Sequence, residues 1–421
     1  MSNDTEILII GGGIIGASCA YYLSNAGRQV TLIERDDTIC PAGGSTYENA
    51  GFIMVSDLYP LPSPGVLGQG MKWLLDSTSP LYVKPRPSPE LAAWLLMFAH
   101  ASRETSMRRS MPTVRALGAQ GGRLFAELDE SEEMSAGYCR NGILSLYLTR
   151  ERLEAAAADD QPMADTGEHA SLLEAAEVRT RVPAVRPDVA GGLLTPQDAH
   201  VDPMAVTREL ARLATDRGAV VLTGTEALDF AVSGDRVSAV RTTRGVFHAG
   251  TVVLAAGVWT APLARLLHLW LPLQPAKGYS VSVARPQGVP DDTPLYLPEG
   301  HVCVTPFGDR LRIAGTLELS GFSTKILPKR ITGIRRGAGR FLQGVGEAEP
   351  LHIWRGLRPL TPDGLPFVGR SSQHTNLVVA TGHNMSGILW GPITGKLVTE
   401  IVNDQPPSVD LQPLRLQRLI R

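Results

Sequence analysis

Ile7-Leu-Ile-Ile10 runs directly into Gly11-Gly-Gly-Ile-Ile-Gly16, and after a helix-like segment the chain reaches Val30-Thr-Leu-Ile-Glu34. This order predicts a buried strand, a glycine-rich turn, a helix and a second strand that ends in an acid. Such a unit binds the pyrophosphate and ribose of a dinucleotide. A glycine-rich turn in an ordinary parallel sheet, without a ligand, is the alternative interpretation.

The glycine spacing predicts a separate task for each glycine. Gly11 allows a close turn, Gly13 lets the backbone approach a phosphate, and Gly16 lets the helix pack tightly on the strand. Glu34 can accept hydrogen bonds from ribose hydroxyls, and its charge would repel a 2′-phosphate, which argues against NADP. The cofactor-binding residues predicted from this stretch are Gly11, Gly13, Ile14, Ile15, Gly16, Glu34 and Arg35.

Size and composition exclude several classes of protein. A chain of 421 residues with 43% apolar and 19% charged residues is expected to form two cores, or one large core with insertions. Its net charge of −2 gives no electrostatic footprint for nucleic acid. The four cysteines lack metal-ligand spacing. Asp198, His200 and Asp202 suggest a metal site, but Asp202-Pro203 more simply caps the helix that runs to Arg217. We expect no metal and no nucleic-acid partner.

The sequence also bears on the compartment. Acids rather than a basic segment precede the first apolar run, so we expect no signal peptide. No window reaches about 18 uncharged apolar residues, the length that spans a bilayer. We therefore predict a cytoplasmic protein. Residues 91–99 and 266–273 are predicted to be buried, and peripheral contact with the inner face of a quinone-containing membrane is the alternative.

Two later segments resemble the first strand and its turn. Thr251-Val-Val-Leu-Ala-Ala-Gly257 and Asn376-Leu-Val-Val-Ala-Thr-Gly382 each predict a buried parallel strand that ends in small residues. Such strands can join the nucleotide-binding sheet and bring Ala256 and Gly257 close to a ligand. NAD is usually bound by one contiguous unit, whereas a chain that returns to its first glycine turn can enclose a larger cofactor. This arrangement favours FAD.

The remaining segments indicate a second domain. Residues 89–133 show a helical pattern, with an apolar stripe formed by Leu91, Leu95, Leu96 and Phe98. Residues 181–203 are loop-like, and the part from about 270 to 350 is strand-like. We predict an α/β fold with a Rossmann-like FAD-binding domain assembled from discontinuous segments and a strand-rich α+β substrate domain. The predicted bounds are 1–85, 199–265 and 355–421 for the FAD-binding domain, and 86–198 and 266–354 for the substrate-binding domain.

Six motifs occur in order along the chain: Gly11 to Gly16 with Glu34-Arg35, Ser45-Thr-Tyr-Glu-Asn-Ala-Gly51, Lys277-Gly-Tyr279, Gly315-Thr-Leu-Glu-Leu-Ser-Gly-Phe322, Trp354-Arg-Gly-Leu-Arg-Pro-Leu-Thr-Pro-Asp-Gly-Leu-Pro366 and Gly382-His-Asn-Met-Ser-Gly387. The short motifs are common individually. Together, over nearly the whole chain, they resemble the FAD-dependent D-amino-acid oxidase superfamily, and within it the bacterial D-amino-acid dehydrogenases, including those of the D-hydroxyproline type.

The resemblance implies further contacts with FAD. The loop of the second motif would pass along the flavin ring, and Ala227 would hold the adenine side. The last motif precedes the final helix, whose free amides would stabilise the negative charge that develops at flavin N1 and the C2 carbonyl. The cofactor-binding residues implied are Ser45, Thr46, Asn49, Ala50, Gly51, Ala227, Ala256, Gly257, Trp259, Gly382, His383, Asn384, Met385, Ser386 and Gly387.

The resemblance also implies a substrate-binding arginine. Arg358 corresponds to the arginine that grips the substrate carboxylate, a role suited to a planar guanidinium that donates two parallel hydrogen bonds. Arg355, three residues away, is the alternative and is interpreted as a structural arginine. Tyr279 would donate a second hydrogen bond to the carboxylate, or would satisfy a local carbonyl instead. The other candidates for the catalytic pocket are Tyr47, Glu48, His383 and Trp354.

The chain departs from relatives of this superfamily in three places. A second arginine after a proline, found in many of the oxidases, is missing from Thr305-Pro306-Phe307. No cysteine shortly precedes Thr361, so FAD is expected to be bound non-covalently. Arg312 aligns loosely with the oxygen-activating lysine of sarcosine oxidases, which favours an acceptor other than oxygen.

The resemblance implies oxidation of a D-amino acid, with D-proline or a hydroxyproline as a possible cyclic substrate. The Cα hydrogen would leave as hydride to flavin N5, and the electrons would pass to a membrane quinone or another acceptor that is not a nicotinamide. The alternatives are an oxygen-using glycine, sarcosine or opine-type oxidase, and a subunit of a hetero-oligomeric amine oxidase. The sequence leaves the oligomeric state open.

Overall fold

The computed structural model describes residues 4–56, 58–74, 79–132, 134, 136–159 and 169–419, except for the side chains of residues 71 and 74. The strands are β1 Asp4–Ile10, β2 Val30–Ile33, β3 Phe52–Ile53, β4 Leu81–Val83, β5 Ile143–Tyr147, β6 Ser171–Glu174, β7 Gly191–Thr195, β8 Ala199–His200, β9 Val220–Leu222, β10 Ala227–Ser233, β11 Arg236–Thr242, β12 Gly245–Leu254, β13 Gln274–Ala284, β14 Leu295–Leu297, β15 Val302–Phe307, β16 Arg310–Leu319, β17 Pro350–Leu360, β18 Phe367–Arg370 and β19 Leu377–Thr381. The helices are α1 Ile14–Asn25, α2 Val66–Leu74, α3 Pro89–Ala101, α4 Glu104–Glu132, α5 Arg150–Asp159, α6 Ala175–Arg181, α7 Pro203–Asp216, α8 Thr260–Leu266, α9 Pro328–Gly339 and α10 Gly387–Val402.

The first sheet has a parallel centre in the order β9, β2, β1, β12, β19. The last four residues of β1 and the last three of β12 are apolar and buried, as a parallel sheet covered on both faces requires. Strands β10 and β11 extend the sheet as antiparallel strands, and β18 pairs with β19. The sheet therefore combines three separated parts of the chain, which confirms the predicted discontinuous α/β fold.

Helix α1 packs closely against α10 on one face of this sheet. A Cβ atom on Gly395 would lie 2.5 Å from the carbonyl oxygen of Ser18, so the close approach requires glycine there. Helix α7 also packs on α1. It begins after Asp202, whose side chain accepts hydrogen bonds from the amides of Met204 and Ala205. The predicted cap at Asp202 is confirmed.

The second sheet follows the order β17, β13, β16, β15, β14, β5, β7, β6, and β4 pairs with β16 at the side. Strand β13 lies between β17 and β16 and is antiparallel to both. Its residues Val281 and Val283 are fully buried and, with Ile313 of β16, contribute to a second hydrophobic core. The second sheet thus has a hydrophobic core separate from the clusters that cover the first sheet.

The structure differs from two local predictions. Residues 191–195 form strand β7 rather than a loop, because they pair with β5 and β6. The stripe on α3 is buried only in part: Leu91 and Phe98 belong to a hydrophobic cluster, whereas Leu95 and Leu96 are 38% and 73% exposed. Residue 133, the predicted end of this helical stretch, lies outside the described residues. In the part of the chain that the structure describes, no helix is both long and apolar enough to cross a membrane.

We keep the division into two domains as a proposal. The strand pairing moves its boundaries, because β4 within 1–85 and β17, which extends past 355 to Leu360, both belong to the second sheet. Helix α4, placed in the substrate-binding part, instead packs on α10 and contributes Leu117 and Phe125 to the first core. The FAD-binding part therefore includes α4 in the boundaries that we now propose.

Candidate active site

A deep cleft opens at the carboxyl ends of β1, β12 and β19 and continues to the face of the second sheet. It contains about 1600 Å³ of empty space, including its open mouth. The residues that line it are Ile10, Gly11, Gly13, Ile14, Ile15, Ile33, Glu34, Arg35, Pro41, Gly44, Ser45, Thr46, Asn49, Thr225, Glu226, Ala227, Ala255, Ala256, Gly257, Trp259, Pro262, Leu263, Leu266, Leu357, Arg358, Pro359, Ala380, Thr381, His383, Asn384, Met385, Gly387 and Ile388. The three sequence segments predicted to surround one cofactor therefore meet here.

Gly11, Gly13 and Gly16 of the first turn have different surroundings. Gly11 has a φ of +117°, and a Cβ atom there would lie 2.7 Å from the carbonyl oxygen of Ala255. A Cβ atom on Gly16 would collide with the carbonyl oxygen of Gly11, so Gly16 serves helix–strand packing and does not line the cleft. At Gly13 the nearest atom would be Thr46 Oγ1 at 3.7 Å. The protein leaves this space open beside the start of α1, where a pyrophosphate fits.

Glu34 lies at the end of β2 beside this turn. Its Oε2 accepts a hydrogen bond from the amide of Gly12 at 2.6 Å, and its Oε1 accepts one from the amide of Asp36 at 3.0 Å. Burial raises the pKa of the carboxyl, and the two amide donors oppose that shift. The remaining lone pairs of the carboxylate are available to ribose hydroxyls.

Ala227, predicted to hold the adenine side, lines the cleft together with two neighbours that were not predicted, Thr225 and Glu226. The amide of Thr225 donates to the carbonyl oxygen of Glu34 at 2.7 Å, which joins this segment to the end of β2. Thr225 and Glu226 could not be predicted from a motif, because only their position next to Ala227 distinguishes them in the sequence.

Arg35 and Trp259 line the cleft as a stacked pair. The guanidinium of Arg35 lies 4.1 Å from the centre of the Trp259 ring, within range of a cation–π interaction. The same stretch of chain contributes Ala256 and Gly257 to the lining. Both predicted segments therefore reach the cleft, and they close one side of it.

The loop of residues 45–51 contributes Ser45, Thr46 and Asn49 to the cleft. Ala50 and Gly51 do not line it and instead anchor the loop. The carbonyl oxygen of Ala50 accepts a hydrogen bond from Thr305 Oγ1 at 2.7 Å, and the amide of Gly51 donates to Asn49 Oδ1 at 3.1 Å. In the structure Ala50 and Gly51 support the loop, and their contact with the flavin ring stays a prediction.

In the turn before α10, some backbone amides donate hydrogen bonds within the protein and others do not. The amide of Ser386 donates to the carbonyl oxygen of His383 at 3.0 Å, and Ser386 does not line the cleft. Within the described residues no hydrogen bond is recorded for the amides of Met385 and Gly387, which do line it. The amides of Met385 and Gly387, but not that of Ser386, therefore remain for an anionic group at the helix N-terminus.

Gly382 and Asn384 shape this turn. Gly382 has a φ of +80°, and a Cβ atom there would lie 2.5 Å from Thr361 Cγ2, so this residue shapes the turn without lining the cleft. The side chain of Asn384 accepts a hydrogen bond from the amide of Thr361 at 2.9 Å and donates one to the carbonyl oxygen of Gly382 at 2.9 Å. The turn is thereby fixed to the end of β17.

His383 lines the cleft but is almost completely buried. Its Nε2 lies 2.9 Å from Thr394 Oγ1 in α10. Burial lowers the pKa of this imidazole to about 3, so the ring is neutral near pH 7. The structure thus gives His383 a place in the packing of α10 against the turn and does not support the catalytic role suggested for it.

Arg358 projects from β17 into the opposite end of the cleft. Its Nη1 donates a hydrogen bond to the carbonyl oxygen of Thr316 at 3.0 Å. No other hydrogen bond and no ion pair is recorded for it with the described residues. Burial lowers the pKa of the guanidinium from 12.5, yet arginine stays charged at neutral pH. Arg358 is thus a half-buried cation with donors left over for an anion.

Arg355 has a different environment from Arg358. Its Nε donates to the carbonyl oxygen of Thr324 at 3.3 Å, and it does not line the cleft. This geometry agrees with the structural role predicted for Arg355, and of these two arginines only Arg358 lines the cleft.

Three other candidates lie outside the cleft. Tyr279 faces the reverse side of the second sheet, where its hydroxyl donates to Glu318 Oε2 at 2.6 Å, so it does not reach the carboxylate position. Glu48 is buried and accepts hydrogen bonds from Ser280 Oγ at 3.3 Å and His352 Nδ1 at 2.9 Å. Tyr47 packs 6.5 Å from the ring of Trp354. These side chains support the loop and the sheet.

The donor set fits a dinucleotide with a flavin. The open space at Gly13 and the acid at Glu34 suit the pyrophosphate and ribose, and the amides of Met385 and Gly387 suit the polar edge of a flavin. All four cysteines are described by the structure, and none lines the cleft. A cysteine linkage to the cofactor is therefore not provided within this lining.

A family model described as FAD dependent oxidoreductase matches residues 6–401. Among the curated relatives, D-amino acid dehydrogenase of Methylobacterium radiotolerans is 32% identical over 98% of this chain and 99% of its own length. D-amino acid dehydrogenase of Bradyrhizobium diazoefficiens is 31% identical over 98% of both chains.

Solved structures show the same fold. Glycine oxidase from Geobacillus kaustophilus is 25% identical, with a TM-score of 0.77 over 99% of this chain and 100% of its own. L-proline dehydrogenase from P. horikoshii has a TM-score of 0.78 at 19% identity, over 100% of this chain and 98% of its own, a likeness that concerns the fold alone.

Proposed function

Because the chain belongs to the family of FAD-dependent oxidoreductases, with FAD as its cofactor, we propose that it oxidises the carbon–nitrogen bond of a D-amino acid and acts as a dehydrogenase. The names of the curated relatives support this substrate class. The observation in this chain that carries the proposal is the position of Arg358, whose charged group enters the cleft without a carboxylate partner among the described residues.

Arg358 would bind the carboxylate of the substrate. A guanidinium donates two parallel hydrogen bonds to a carboxylate, and this pairing fixes the direction of the Cα–H bond. Orientation of this kind is a large part of what an enzyme contributes to a hydride transfer. FAD, when bound in the cleft, supplies the chemistry by accepting the Cα hydrogen as hydride at N5.

The reaction does not require a strong side-chain base. His383 is neutral and bonded to Thr394, and Glu48 is occupied by Ser280 and His352. The substrate needs only an amine that has released its proton. Loss of the Cα hydrogen as hydride then gives an iminium ion, which becomes the imine when it releases a proton to water. Water hydrolyses an acyclic imine to a 2-oxo acid and ammonia, whereas a cyclic substrate stops at a pyrroline carboxylate.

Two finer points belong to the proposal. D-Proline or a hydroxyproline is a candidate substrate, because a cyclic amino acid has the same carboxylate for Arg358 to bind and the same kind of Cα hydrogen to transfer. A quinone is the candidate acceptor, reached from the cytoplasmic side of a membrane. Exposed apolar side chains at Leu96, Leu266 and Trp270 support such peripheral contact, and Leu266 also lines the cleft.

Anaerobic reduction of the bound flavin tests the reaction. Purified holoenzyme is mixed with D- and L-enantiomers of a panel that includes proline, hydroxyproline and N-methylated amines. Loss of flavin absorbance with D-amino acids is the expected result. Loss with the L-enantiomers alone would contradict the substrate class, and a protein that stays colourless with added FAD would contradict the site.

An oxygen-using amine oxidase is the second candidate. The structural likeness to glycine oxidase from Geobacillus kaustophilus at 25% identity favours it. Turnover in air without any other acceptor separates the two: stoichiometric peroxide identifies an oxidase, and rapid turnover only with a quinone identifies a dehydrogenase.

A further inference from the structure

The strand pairing beside Arg358 is irregular. Strands β13 and β16 pair regularly at Lys277 with Glu318 and again at Tyr279 with Gly315, with a shift of register in between. One residue of β13 therefore faces two residues of β16. This is a β-bulge, which bends a strand locally and re-aims the groups next to it.

The bulged strand turns a carbonyl group toward the guanidinium. Thr316 is the first of the two bulged residues, and its φ of +69° lies in the left-handed region that a β-branched residue rarely adopts. Its carbonyl oxygen is the acceptor for Arg358 Nη1 at 3.0 Å. The irregular backbone thus makes the recorded hydrogen bond that orients Arg358.

The residue opposite the bulge provides the space. A Cβ atom on Gly278 would lie 2.5 Å from both Cζ and Nη1 of Arg358 and 2.7 Å from its Nη2. The guanidinium therefore lies directly over the backbone of Gly278. Any side chain at this position would displace it.

A buried ion pair stands on the reverse face of the sheet. Lys277 Nζ lies 2.9 Å from Glu318 Oε1, and both side chains are almost completely buried. Glu318 Oε2 accepts the hydrogen bond from Tyr279, and Lys277 also donates to the carbonyl oxygens of Ser323 and Lys325, at 3.3 and 2.7 Å. These contacts satisfy the charges that burial would otherwise leave unpaired. They fix the register on one side of the bulge.

We infer that Gly278 and the bulge at Thr316, held in register by the buried pair Lys277–Glu318, position the Arg358 guanidinium for the substrate carboxylate. This inference rests on the proposed function. It assigns the Lys277-Gly-Tyr279 motif to support of the binding arginine from behind. None of these supporting residues is a catalytic residue.

Substitution Gly278→Ala tests the inference in the holoenzyme. The readouts are KM and kcat for the D-amino acid that reduces the flavin fastest, the same constants for its carboxamide, and the Kd of the matching 2-oxo acid measured from flavin absorbance. We expect KM and Kd for the two carboxylates to rise about tenfold or more, with the constants for the carboxamide within about twofold of wild type.

Gly369→Ala is the matched control, because Gly369 also lies in a strand and a Cβ atom there would meet no atom within 4 Å. It should leave every constant unchanged. Unchanged carboxylate constants in Gly278→Ala, or an equal loss for acid and carboxamide, would overturn the inference.

A second variant tests the bulge without adding volume beside Arg358. Lys277→Met combined with Glu318→Leu removes both charges of the buried pair at once, an exchange that proteins often tolerate. We expect the same selective loss of carboxylate affinity. A folded double variant with wild-type KM for the D-amino acid would contradict the positioning role.

Arg358→Ala, measured in parallel, separates the inference from the proposed function. Selective loss of carboxylate affinity in Arg358→Ala, without such a loss in the supporting variants, refutes the inference alone. Full carboxylate affinity in Arg358→Ala refutes the proposed role of the arginine itself.

Discussion

Glu34 Oε2 accepts a hydrogen bond from the amide of Gly12 at 2.6 Å, which ties the end of the second strand to the glycine turn before α1. The acid therefore has two tasks. It fixes the turn in the protein alone, and it presents its remaining lone pairs to the ribose of the cofactor. Glu34 also lines the cleft.

Glu34→Gln should weaken binding of FAD. An amide side chain carries no charge and replaces one acceptor oxygen with a donor, so we expect a loss of about 1.5–3 kcal/mol, or about 10- to 100-fold in Kd. Titration of cofactor-free protein with FAD measures the change. Glu349→Gln, at an exposed position outside the cleft, is the control. Wild-type affinity in Glu34→Gln would remove the acid from the cofactor site.

Gly13→Ala should weaken the binding of FAD, whereas Gly16→Ala should lower the stability of the protein itself. A methyl group at Gly13 points into the open cleft, so cofactor-free protein should keep its stability within about 1 kcal/mol. The affinity for FAD should fall about tenfold or more, because the methyl group takes the space of the pyrophosphate.

At Gly16 the methyl group meets the backbone of Gly11, and we expect the protein without cofactor to lose about 1–3 kcal/mol or more of its free energy of unfolding. Denaturant unfolding and FAD titration of both variants distinguish the two roles. The reverse order of effects would show that Gly13 does not face the cofactor.

His383 makes stability depend on pH. Burial lowers its pKa from 6.5 to about 3 in the folded protein. The unfolded chain takes up a proton as the pH falls below 6.5, while the folded chain does not, so stability is lost between pH 6.5 and 3.

His383→Gln should flatten this part of the stability curve, measured by denaturant unfolding at pH 7 and pH 5. His100→Gln, on the exposed end of α3, should leave the slope as in wild type. An unchanged slope in His383→Gln would mean that the imidazole is not buried in neutral form.

The nucleotide-binding half of the site could be predicted because its signals are local. The turn after Ile10, its glycines and the acid at Glu34 lie within one short stretch of chain, and strand patterns at residues 251–257 and 376–382 predicted the neighbours. The cap at Asp202 is local in the same way, since the side chain bonds to amides two and three residues ahead.

The substrate half depends on pairing between distant strands, which no local pattern specifies. Tyr279 lies close to Arg358 because β13 pairs with β17, yet that register places Ala276 opposite Arg358 and turns Tyr279 to the other face. The bulge at Thr316 is likewise fixed by the partner strand. Residues 191–195 were expected to form a loop for a related reason, because β7 exists only through its pairing with β5 and β6.

The rate of anaerobic flavin reduction in Arg358→Ala tests the central claim, that the guanidinium of Arg358 orients a D-amino acid in the cleft. The wild type and the variant, both loaded with FAD, are mixed with the same D-amino acid below its saturating concentration. We expect the variant to bleach more slowly by about 30-fold or more, as a loss of at least about 2 kcal/mol requires. Equal rates in the two proteins, with equal flavin content, would contradict the account.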